Sequence, residues 1–303
     1  MRARPSLRPP TPAEAEQIQD IWEDSHQADD PGGRARGGWS IDSWATDQCA
    51  LVLEDHVVGV AAVSAGEGSG TVVGRVALDL EHRQSALADV LIQGSVDLAR
   101  KAHGDAIRLF LPEGADWALT AARAVGFEQV RSIYHMQLAG EAPLPELEDV
   151  DGVRIRPMRP GEEPAILEAL NRFWEGTWEF VPIRAEMLEA DLDGQREGML
   201  VGVEVERDAH IVATCHAVFD PADQNPNGDP RAWISNVTVD PAYRGRGLGR
   251  AMLVSGLRFL RSRGARSITL GVDAGNSAPV QLYLSAGFQT ISSTTAWDLS
   301  LRT

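Results

Sequence analysis

Several residue types are scarce in this chain, and each scarcity excludes a class of protein. Cysteine occurs only at Cys49 and Cys215, in different halves of the 303 residues and in no zinc-binding spacing. Neither a structural disulfide nor a metal site is therefore expected. Lysine occurs once, and 44 acidic residues against 28 basic ones give a formal net charge of −16. Nucleic acids and anionic membranes bind positive surfaces, so neither is expected as a general partner.

Long hydrophobic runs are also missing. No run approaches the roughly 20 residues that a membrane-spanning helix needs, and Met1–Pro10 lacks the apolar core of a signal peptide. The sequence therefore predicts a cytoplasmic protein. Its length and its 43% content of hydrophobic residues are sufficient for two domains with ordinary cores.

The most informative stretch is Val239–Arg250, with the sequence VDPAYRGRGLGR. A β-branched segment, 233–239, precedes it, and Leu253, Leu257 and Leu260 follow at helical spacing. The pattern predicts a strand, a glycine-rich loop and a helix that begins at the loop. Backbone N–H groups of such a loop can converge on one point, where the helix dipole adds positive potential.

The side chains of this loop favour a pyrophosphate as its ligand. Glycine lets the backbone come close to a phosphate, and arginine adds fixed positive charge. The glycines are Gly245, Gly247 and Gly249, and the arginines are Arg244, Arg246 and Arg250. No lysine follows the glycines, so a nucleoside-triphosphate loop is not indicated. The spacing also differs from Gly-x-Gly-x-x-Gly, and no ribose-binding acid follows on a second strand.

The loop resembles the coenzyme A loop of the GNAT acetyltransferases. Downstream, Asn276-Ser277-Ala278 and then Tyr283–Phe288, YLSAGF, are similar to the closing motif of the same family. Two motifs in the right order are much more specific than either alone. The resemblance covers nearly all of 153–301 and extends more faintly to 8–138. It implies the GNAT fold and acetyl-CoA as co-substrate.

The resemblance also implies a role for each matching residue. Backbone groups of Val237 and Val239 would hold the pantetheine arm between two splayed parallel strands, and Asn276 would bond the arm near its end. Tyr283 would protonate the leaving thiolate, a step that suits a phenol of pKa about 10 and a thiol of about 8.5. The implied cofactor-binding set is Val237, Val239, Arg244, Gly245, Arg246, Gly247, Leu248, Gly249, Arg250 and Asn276.

The general base stays open. GNAT enzymes often place a glutamate on the strand before the coenzyme loop, but this strand carries Trp233, Ser235 and Asn236. The alternatives are Glu204 and Glu206 on the preceding hairpin, His216 on its second strand, and Glu179 in the first helical region. For the two hairpin glutamates the competing interpretation is solvated sheet surface, and for His216 it is a core residue.

An internal repeat organises the chain. With an offset of 161, the segments 79–127 and 240–288 align without a gap and share nine identities, including Gly126-Phe127 with Gly287-Phe288. The acidic, proline-bearing stretch 139–152 reads as a linker. The sequence thus predicts two tandem GNAT-like domains, 1–140 and 153–303, in the α/β class with a mixed sheet (α+β).

The N-terminal copy has lost the residues that carry the predicted chemistry. Gly245, Gly247 and Gly249 correspond to Gln84, Ala86 and Ala88, while Asn276 and Tyr283 correspond to Ala115 and Ala122. A Cβ at loop positions would crowd a phosphate or forbid the required backbone angles. We therefore expect the N-terminal copy to be a scaffold or regulatory partner.

Local patterns predict the elements of the C-terminal half. Strands are expected at Val153–Pro157, Met199–Glu206, Ile211–Phe219, 233–239 and 267–272, and helices at Glu162–Trp174, Ala185–Leu192, 247–263 and 277–286. Asp220–Asp229 is predicted as a loop from its turn residues, and a closing hairpin is expected up to Leu301. The aromatic stretch Trp174–Pro182 either walls an acceptor pocket or packs in the core.

These features together predict an acetyl-CoA-dependent N-acetyltransferase in which the amine of a small molecule attacks directly, without a metal. Two alternatives stay open. One is a sensor or structural protein that binds coenzyme A without turnover, and the other is an acetyltransferase acting on a protein amine. The sequence indicates no oligomeric state.

Overall fold

The computed structural model describes residues 4–30, 47–65, 70–83, 86–140, 142–178, 180–207, 210–224 and 228–302. The candidate base Glu179 and the loop residue Gln84 lie outside the described residues. Two compact units are present. Unit 1 comprises Met1–His135, Asp273–Gly275 and Ile291–Thr303, and unit 2 comprises Met136–Val272 and Asn276–Thr290.

The described residues form twelve strands and seven helices. The strands are β1 (Ser6–Arg8), β2 (Asp47–Leu53), β3 (His56–Ala65), β4 (Thr71–Leu78), β5 (Ala106–Pro112), β6 (Glu128–Leu138), β7 (Val153–Pro157), β8 (Met199–Glu204), β9 (Ile211–Gln224), β10 (Pro230–Val239), β11 (Ile268–Asp273) and β12 (Gln289–Ser300). The helices are α1 (Ala15–Asp29), α2 (Leu87–Lys101), α3 (Asp116–Val125), α4 (Glu163–Trp174), α5 (Ala185–Leu192), α6 (Leu248–Ser262) and α7 (Ser277–Ser285).

Unit 1 is built on a mixed sheet with the strand order β1-β2-β3-β4-β5-β12-β6. β4 and β5 are parallel, whereas β12 runs antiparallel to β5, with Asp298 opposite Arg108. Arg108 is buried and forms a bidentate pair with Asp298, with Nε–Oδ1 at 2.7 Å and Nη2–Oδ2 at 2.6 Å. Trp297 of β12 belongs to the apolar core that α2 and α3 help to form. The core of unit 1 therefore includes a strand from the far end of the sequence.

Unit 2 has the strand order β11-β10-β9-β8-β7, in which only the β10–β11 pair is parallel. One sheet face packs against α4 and α5 through Phe173 and other buried apolar residues. The other face packs against α6, where a Cβ on Gly256 would lie 2.6 Å from Cys215 Sγ. The predicted helical periodicity of α6 is confirmed, since Leu253, Leu257 and Leu260 are fully buried. The mixed α/β sheet expected from the sequence is present.

Two predicted boundaries were wrong. β9 continues to Gln224 instead of ending where the Asp220–Asp229 loop was expected, because Asp220 pairs with Arg231 and Gln224 with Pro230. A register shift between Pro230 and Arg231 accommodates the turn-forming residues. The closing hairpin is instead the single strand β12, whose residues 294–300 all pair with β5. Local composition cannot reveal such pairing, which depends on distant strands.

The internal repeat is also visible in hydrogen bonds. Near the start of unit 1, Arg8 bonds both carboxylate oxygens of Glu14, and a backbone N–H three residues earlier also donates to that carboxylate at 2.7 Å. In unit 2, Arg156 and Glu162 repeat this arrangement, again with a 2.7 Å backbone bond. The two compact units interleave along the chain, whereas the predicted domains 1–140 and 153–303 are continuous segments. Those domain boundaries stay a prediction.

Candidate active site

The parallel strands β10 and β11 meet at one position in the middle of unit 2. Trp233 pairs with Thr269, and the register of β10 against β9 then shifts between Ile234 and Asn236. Such a bulge bends and twists its strand. Beyond Trp233, no further β10–β11 pair is formed among the residues that the structure describes. The C-terminal half of β10 therefore borders a gap between two parallel strands.

Backbone groups of Val237 and Val239 are directed towards this gap. Asp240 N–H donates to Val212 O at 2.9 Å, which continues the antiparallel ladder between β10 and β9. Residues alternate in such a ladder, so the polar backbone groups of Val237 and Val239 point away from β9. The carbonyl of Val239 accepts from Arg244 Nε at 3.2 Å, in agreement with this orientation.

The loop after β10 depends on left-handed backbone angles at two of its glycines. Asp240 caps a short 3-10 turn, Pro241–Tyr243, by accepting from Ala242 N–H at 2.9 Å. Gly245 and Gly247 then adopt φ of +78° and +80°, and a Cβ at either would project into open space. L-residues rarely adopt this conformation, so the backbone angle, not crowding, is the reason for glycine.

Helix α6 begins at this loop, and the charged side chains around its N-terminus are all arginines. Gly247 is the N-cap, the first turn contains no acidic residue, and the first intrahelical bond is Ala251 N–H to Gly247 O at 3.0 Å. The three preceding helical N–H groups, at residues 248–250, therefore have no intrahelical acceptor. Arg244 and Arg246 are exposed beside them. Arg250 donates to Ser285 Oγ at 3.2 Å. This arrangement is suited to an anion with several oxygens.

Asn276 is the N-cap residue of α7 and is exposed. Its backbone carbonyl accepts from Val280 N–H at 3.2 Å, while its side chain makes no capping hydrogen bond. The amide therefore retains its donors and acceptor for a ligand. Its counterpart in unit 1, Ala115, is also an N-cap and offers no such group.

Tyr283 lies on α7 and is 7% exposed, with its ring edge-on to Phe288 at 6.0 Å between centroids. Burial, with a smaller contribution from nearby Cys215, raises the pKa of Tyr283 to about 12. The phenol is therefore protonated at neutral pH, as a proton donor must be. The pKa lies above the value assumed from sequence, but burial also raises the pKa of Cys215 to about 12. A thiolate formed in the same environment would likewise gain basicity.

The two glutamates considered as bases have different surroundings. Glu204 ends β8, and its carboxylate accepts hydrogen bonds from Tyr243, Arg207 and His210. Partial burial would raise the pKa of Glu204, but the bonds from Arg207 and His210 outweigh it and lower the pKa below its ordinary value. A carboxylate so engaged is a weak proton acceptor. Glu206 lies beyond the end of β8 and is exposed, so the predicted strand Met199–Glu206 was two residues too long.

His216 belongs to a buried polar row that the sequence analysis missed. Thr214 Oγ1 contacts Thr238 Oγ1 at 2.7 Å and Asn236 Oδ1 at 3.2 Å, and His216 lies opposite Asn236 in the ladder. Burial lowers the pKa of His216 to about 4, and its Nε2 has no hydrogen-bond partner. Alternation of these residues with Ala213, Cys215 and Val237 was the available signal for one polar sheet face.

The last turn of α4, from which the aromatic stretch continues, lies at the end of the sheet where the gap opens. Arg172 ties α4 to this end, donating to Asp240 Oδ2 at 3.2 Å and to Ile211 O at 3.1 Å. Trp174 and Trp178 are 38% and 40% exposed, so the core-packing alternative does not describe them. Phe173 is the residue of this region that is buried in the core.

The described residues on either side of the corresponding position in unit 1, Arg83 and Ala86, differ from their counterparts in unit 2. Ala86, the counterpart of Gly247, adopts φ of −62°. Arg83, the counterpart of Arg244, turns inward and pairs with Asp29, with Nη1–Oδ1 at 2.7 Å. Trp117 Nε1–H also donates to Asp29, at 3.2 Å. The loop arginine of unit 1 is therefore already neutralised by a protein carboxylate.

Comparison with known proteins identifies the family. The model of the acetyltransferase (GNAT) family matches residues 164–288. A mycothiol acetyltransferase from Acidothermus cellulolyticus is 31% identical in an alignment of 276 positions that covers 85% of this chain and 79% of that protein. The chain belongs to the GNAT acetyltransferase family. A mycothiol acetyltransferase from Thermobispora bispora is 35% identical over 67% of this chain, and the match spans 65% of that relative's length.

Solved structures with the same fold include a protein described as a tandem GNAT protein. A GCN5-related N-acetyltransferase from Sphaerobacter thermophilus has a TM-score of 0.78 and 22% identity, covering 99% of this chain and 96% of that one. A tandem GNAT protein from the clavulanic acid biosynthesis pathway has a TM-score of 0.71 and 15% identity, with 99% of both chains covered. This chain is thus a tandem GNAT protein that is similar to mycothiol acetyltransferases. It is an N-acetyltransferase, an enzyme that transfers acetyl to an amine.

Acetyl-CoA is the acetyl donor of this family, and the described residues fit it. The open space at Gly245 and Gly247 and the unbonded amide of Asn276 leave room and donors for such a ligand. Among the described residues, no three His, Cys, Asp or Glu side chains group as metal ligands would. No helix within that part of the chain combines the length and the apolar character needed to cross a membrane.

Proposed function

We propose that this chain acetylates the amine of a small molecule at unit 2, using the gap beside β10 and the loop at α6 to hold acetyl-CoA. The observation that carries the proposal is the joint presence of the gap, two left-handed glycines and an acid-free helix N-terminus in one unit. Acetyl-CoA supplies the thioester. Val237 and Val239 would hold its pantetheine arm, and residues 244–250 its pyrophosphate. Positional catalysis of this kind needs no metal.

Tyr283 would act as the general acid. The amine nitrogen attacks the thioester carbonyl, the carbon–sulfur bond breaks, and the phenol gives its proton to the thiolate. Support for this role comes from the burial of Tyr283, which keeps the phenol protonated at neutral pH. The amine proton returns to the phenolate through solvent, so the enzyme ends the cycle in its starting state.

The acceptor that we propose is an α-amine, with the cysteinyl amine of the mycothiol precursor as the first choice. Two relatives that carry the name mycothiol acetyltransferase support it. So does β10, which has Trp233, Ser235 and Asn236 where the family often has a glutamate base. An α-amine of pKa about 7.8 is roughly one-third neutral at pH 7.5, whereas a lysine amine of pKa about 10.4 is only about one-thousandth neutral. An acceptor that arrives neutral reduces the need for a strong base.

An acceptor that binds as the neutral amine predicts a characteristic pH dependence. The value of kcat/KM for the acceptor should rise with pH and level off at the pKa of the acceptor amine itself. Amines of different pKa would shift the profile accordingly. A profile that kept one pKa for all acceptors would instead indicate a base on the enzyme.

Calorimetric titration with acetyl-CoA is the first test. One site per chain is expected, because the unit 1 loop has no left-handed residue at Ala86 and its Arg83 is paired with Asp29. Gly247→Glu should abolish that binding. Two sites would show that unit 1 also binds, and no binding would refute the proposal. Mass spectrometry of the product formed from the mycothiol precursor would then test the acceptor.

Neither hairpin glutamate is suited to act as a general base in this mechanism. Glu204 is engaged by three partners and Glu206 is exposed. Product formation that is lost in Tyr283→Phe, while acetyl-CoA still binds, would support the general-acid role of Tyr283.

A further inference from the structure

The carboxylate of Glu204 lies at the centre of a hydrogen-bond network in unit 2. Its Oε1 accepts from the hydroxyl of Tyr243. Its Oε2 accepts from Arg207 Nε at 2.6 Å and from His210 Nδ1 at 3.1 Å. The Glu204 side chain is only 17% exposed. Because all three donors bond the same partly buried carboxylate, Glu204 fixes the positions of the side chains of Tyr243, Arg207 and His210.

Tyr243 connects this network to the proposed pyrophosphate loop. It ends the 3-10 turn after Asp240 and stands two residues before Gly245. The Arg246 guanidinium lies 4.9 Å from the centre of the Tyr243 ring, within range of a cation–π interaction. The His210 ring packs against the same phenol in a T-shaped arrangement, with 6.3 Å between the ring centroids. Arg246 is thus linked through one ring to the β8–β9 turn.

The loop has a physical need for such an anchor. Gly245 and Gly247 flank Arg246, and a Cβ at either would contact nothing. Glycine has the widest backbone freedom of any residue, so ordering the loop for a ligand costs conformational entropy. An external contact that orders the loop beforehand lowers this cost and strengthens binding.

We propose that Glu204 is a positioning residue for acetyl-CoA, which through Tyr243 holds Arg246 and its two flanking glycines in the conformation that binds the pyrophosphate. The inference rests on the proposed function. Glu204 acts through the loop and not on the reacting atoms, so it should affect cofactor affinity and leave kcat unchanged.

Two variants and one control test this role. Tyr243→Phe removes only the hydroxyl and keeps the ring beside Arg246, while Glu204→Gln removes the charge and keeps the shape. Glu206→Gln makes the same charge change two residues away, at an exposed site outside the network. Calorimetry with acetyl-CoA should show Kd raised about tenfold in Tyr243→Phe and Glu204→Gln, and unchanged in Glu206→Gln.

A fragment of the cofactor separates positioning from a general structural defect. The probe is 3′-phospho-ADP, which has the pyrophosphate but no pantetheine arm. Positioning of the loop predicts the same fold-loss for 3′-phospho-ADP as for acetyl-CoA. A larger loss for acetyl-CoA would place the defect at the gap and overturn the inference. Thermal unfolding checks that each variant is folded, and Tyr243→Phe retains the bonds from Arg207 and His210 if Glu204→Gln does not fold.

The outcomes also distinguish this inference from the proposed function. Wild-type protein that binds acetyl-CoA, together with Tyr243→Phe and Glu204→Gln variants that bind as tightly as Glu206→Gln, would overturn the inference alone. Wild-type protein that binds neither acetyl-CoA nor 3′-phospho-ADP would overturn both.

Discussion

Replacing Gly247 with alanine tests the proposed pyrophosphate site through a single backbone angle. Gly247 has φ of +80°, and a Cβ there would contact nothing, so the substitution introduces no clash in the free protein. Holding an L-residue in the left-handed region costs about 1–2 kcal/mol. The loop can avoid this cost by relaxing towards φ of −62°, the angle of its counterpart Ala86.

Relaxation would turn the loop N–H groups away from the ligand. Binding then has to restore the left-handed conformation, and the 1–2 kcal/mol appears in the affinity. We expect Gly247→Ala to raise Kd for acetyl-CoA about 5- to 30-fold, measured by calorimetry, with little change in the thermal midpoint. Gly245→Ala, at φ of +78°, should behave alike.

Gly264→Ala is the matched control. Gly264 also has a left-handed backbone, with φ of +91°, and its Cβ would contact nothing, but it lies two residues beyond the end of α6 and outside residues 244–250. The same backbone cost therefore falls away from the proposed pyrophosphate site, and affinity for acetyl-CoA should stay within about twofold. The reasoning is refuted if Gly247→Ala binds acetyl-CoA like wild type, or if Gly264→Ala weakens binding as much as Gly247→Ala does.

Three further predictions follow from buried groups. Tyr283→Phe should lower kcat about 100-fold or more and leave Kd for acetyl-CoA unchanged, because only the proton donor is lost. Asp298→Ala should lower the free energy of unfolding by about 2–3 kcal/mol in urea titrations, because it removes a carboxylate that accepts two hydrogen bonds from Arg108, whose side chain is 4% exposed. His216 has a folded pKa of about 4, below the ordinary value of 6.5, so its stabilising contribution is complete above pH 6.5 and is lost as pH falls towards 4. The wild-type free energy of unfolding should therefore fall between pH 7 and pH 4, in part because of His216. In His216→Gln this fall should be smaller by about 3 kcal/mol.

Each of these predictions has a control in the same chain. Tyr134→Phe removes a hydroxyl from unit 1, whereas the proposed site is in unit 2, and should keep kcat. Asp97→Ala breaks an exposed pair with Arg100, at 3.3 Å, and should cost less than about 1 kcal/mol. An Asp298→Ala variant no less stable than Asp97→Ala, or a His216→Gln variant with the pH dependence of wild type, would contradict the burial argument.

The parts of the site that sequence could predict are those with local signals. The glycines after β10 require angles that a side chain disfavours, and the leucines of α6 repeat with the period of a helix. Both signals lie within about 20 residues of each other. The same holds for the N-cap position of Asn276, one residue before α7.

The parts that could not be predicted depend on distant partners. Glu204 was considered as a base on solvated sheet surface, but in addition to Arg207 and His210 nearby in sequence it bonds Tyr243, which lies 39 positions away. β12 was wrongly predicted to be part of a hairpin. Its pairing partners on β5 lie 182–194 positions earlier in the chain, where a local pattern cannot reveal them. The Asp220–Asp229 turn residues were likewise overridden by pairing of β9 with β10. Composition indicates which local structure a segment prefers. Where pairing with a distant strand competes with that preference, the pairing determines the structure.

The position of β12 in unit 1 has a consequence for the order of assembly during synthesis. β12 leaves the ribosome after all the strands and helices of unit 2, yet it supplies Trp297 to the core of unit 1 and Asp298 to the buried Arg108. Until then, β5 has an open edge and Arg108 lacks its carboxylate, conditions that favour pairing with the wrong strand. Unit 1 can therefore complete its sheet and its core only after unit 2 has been translated.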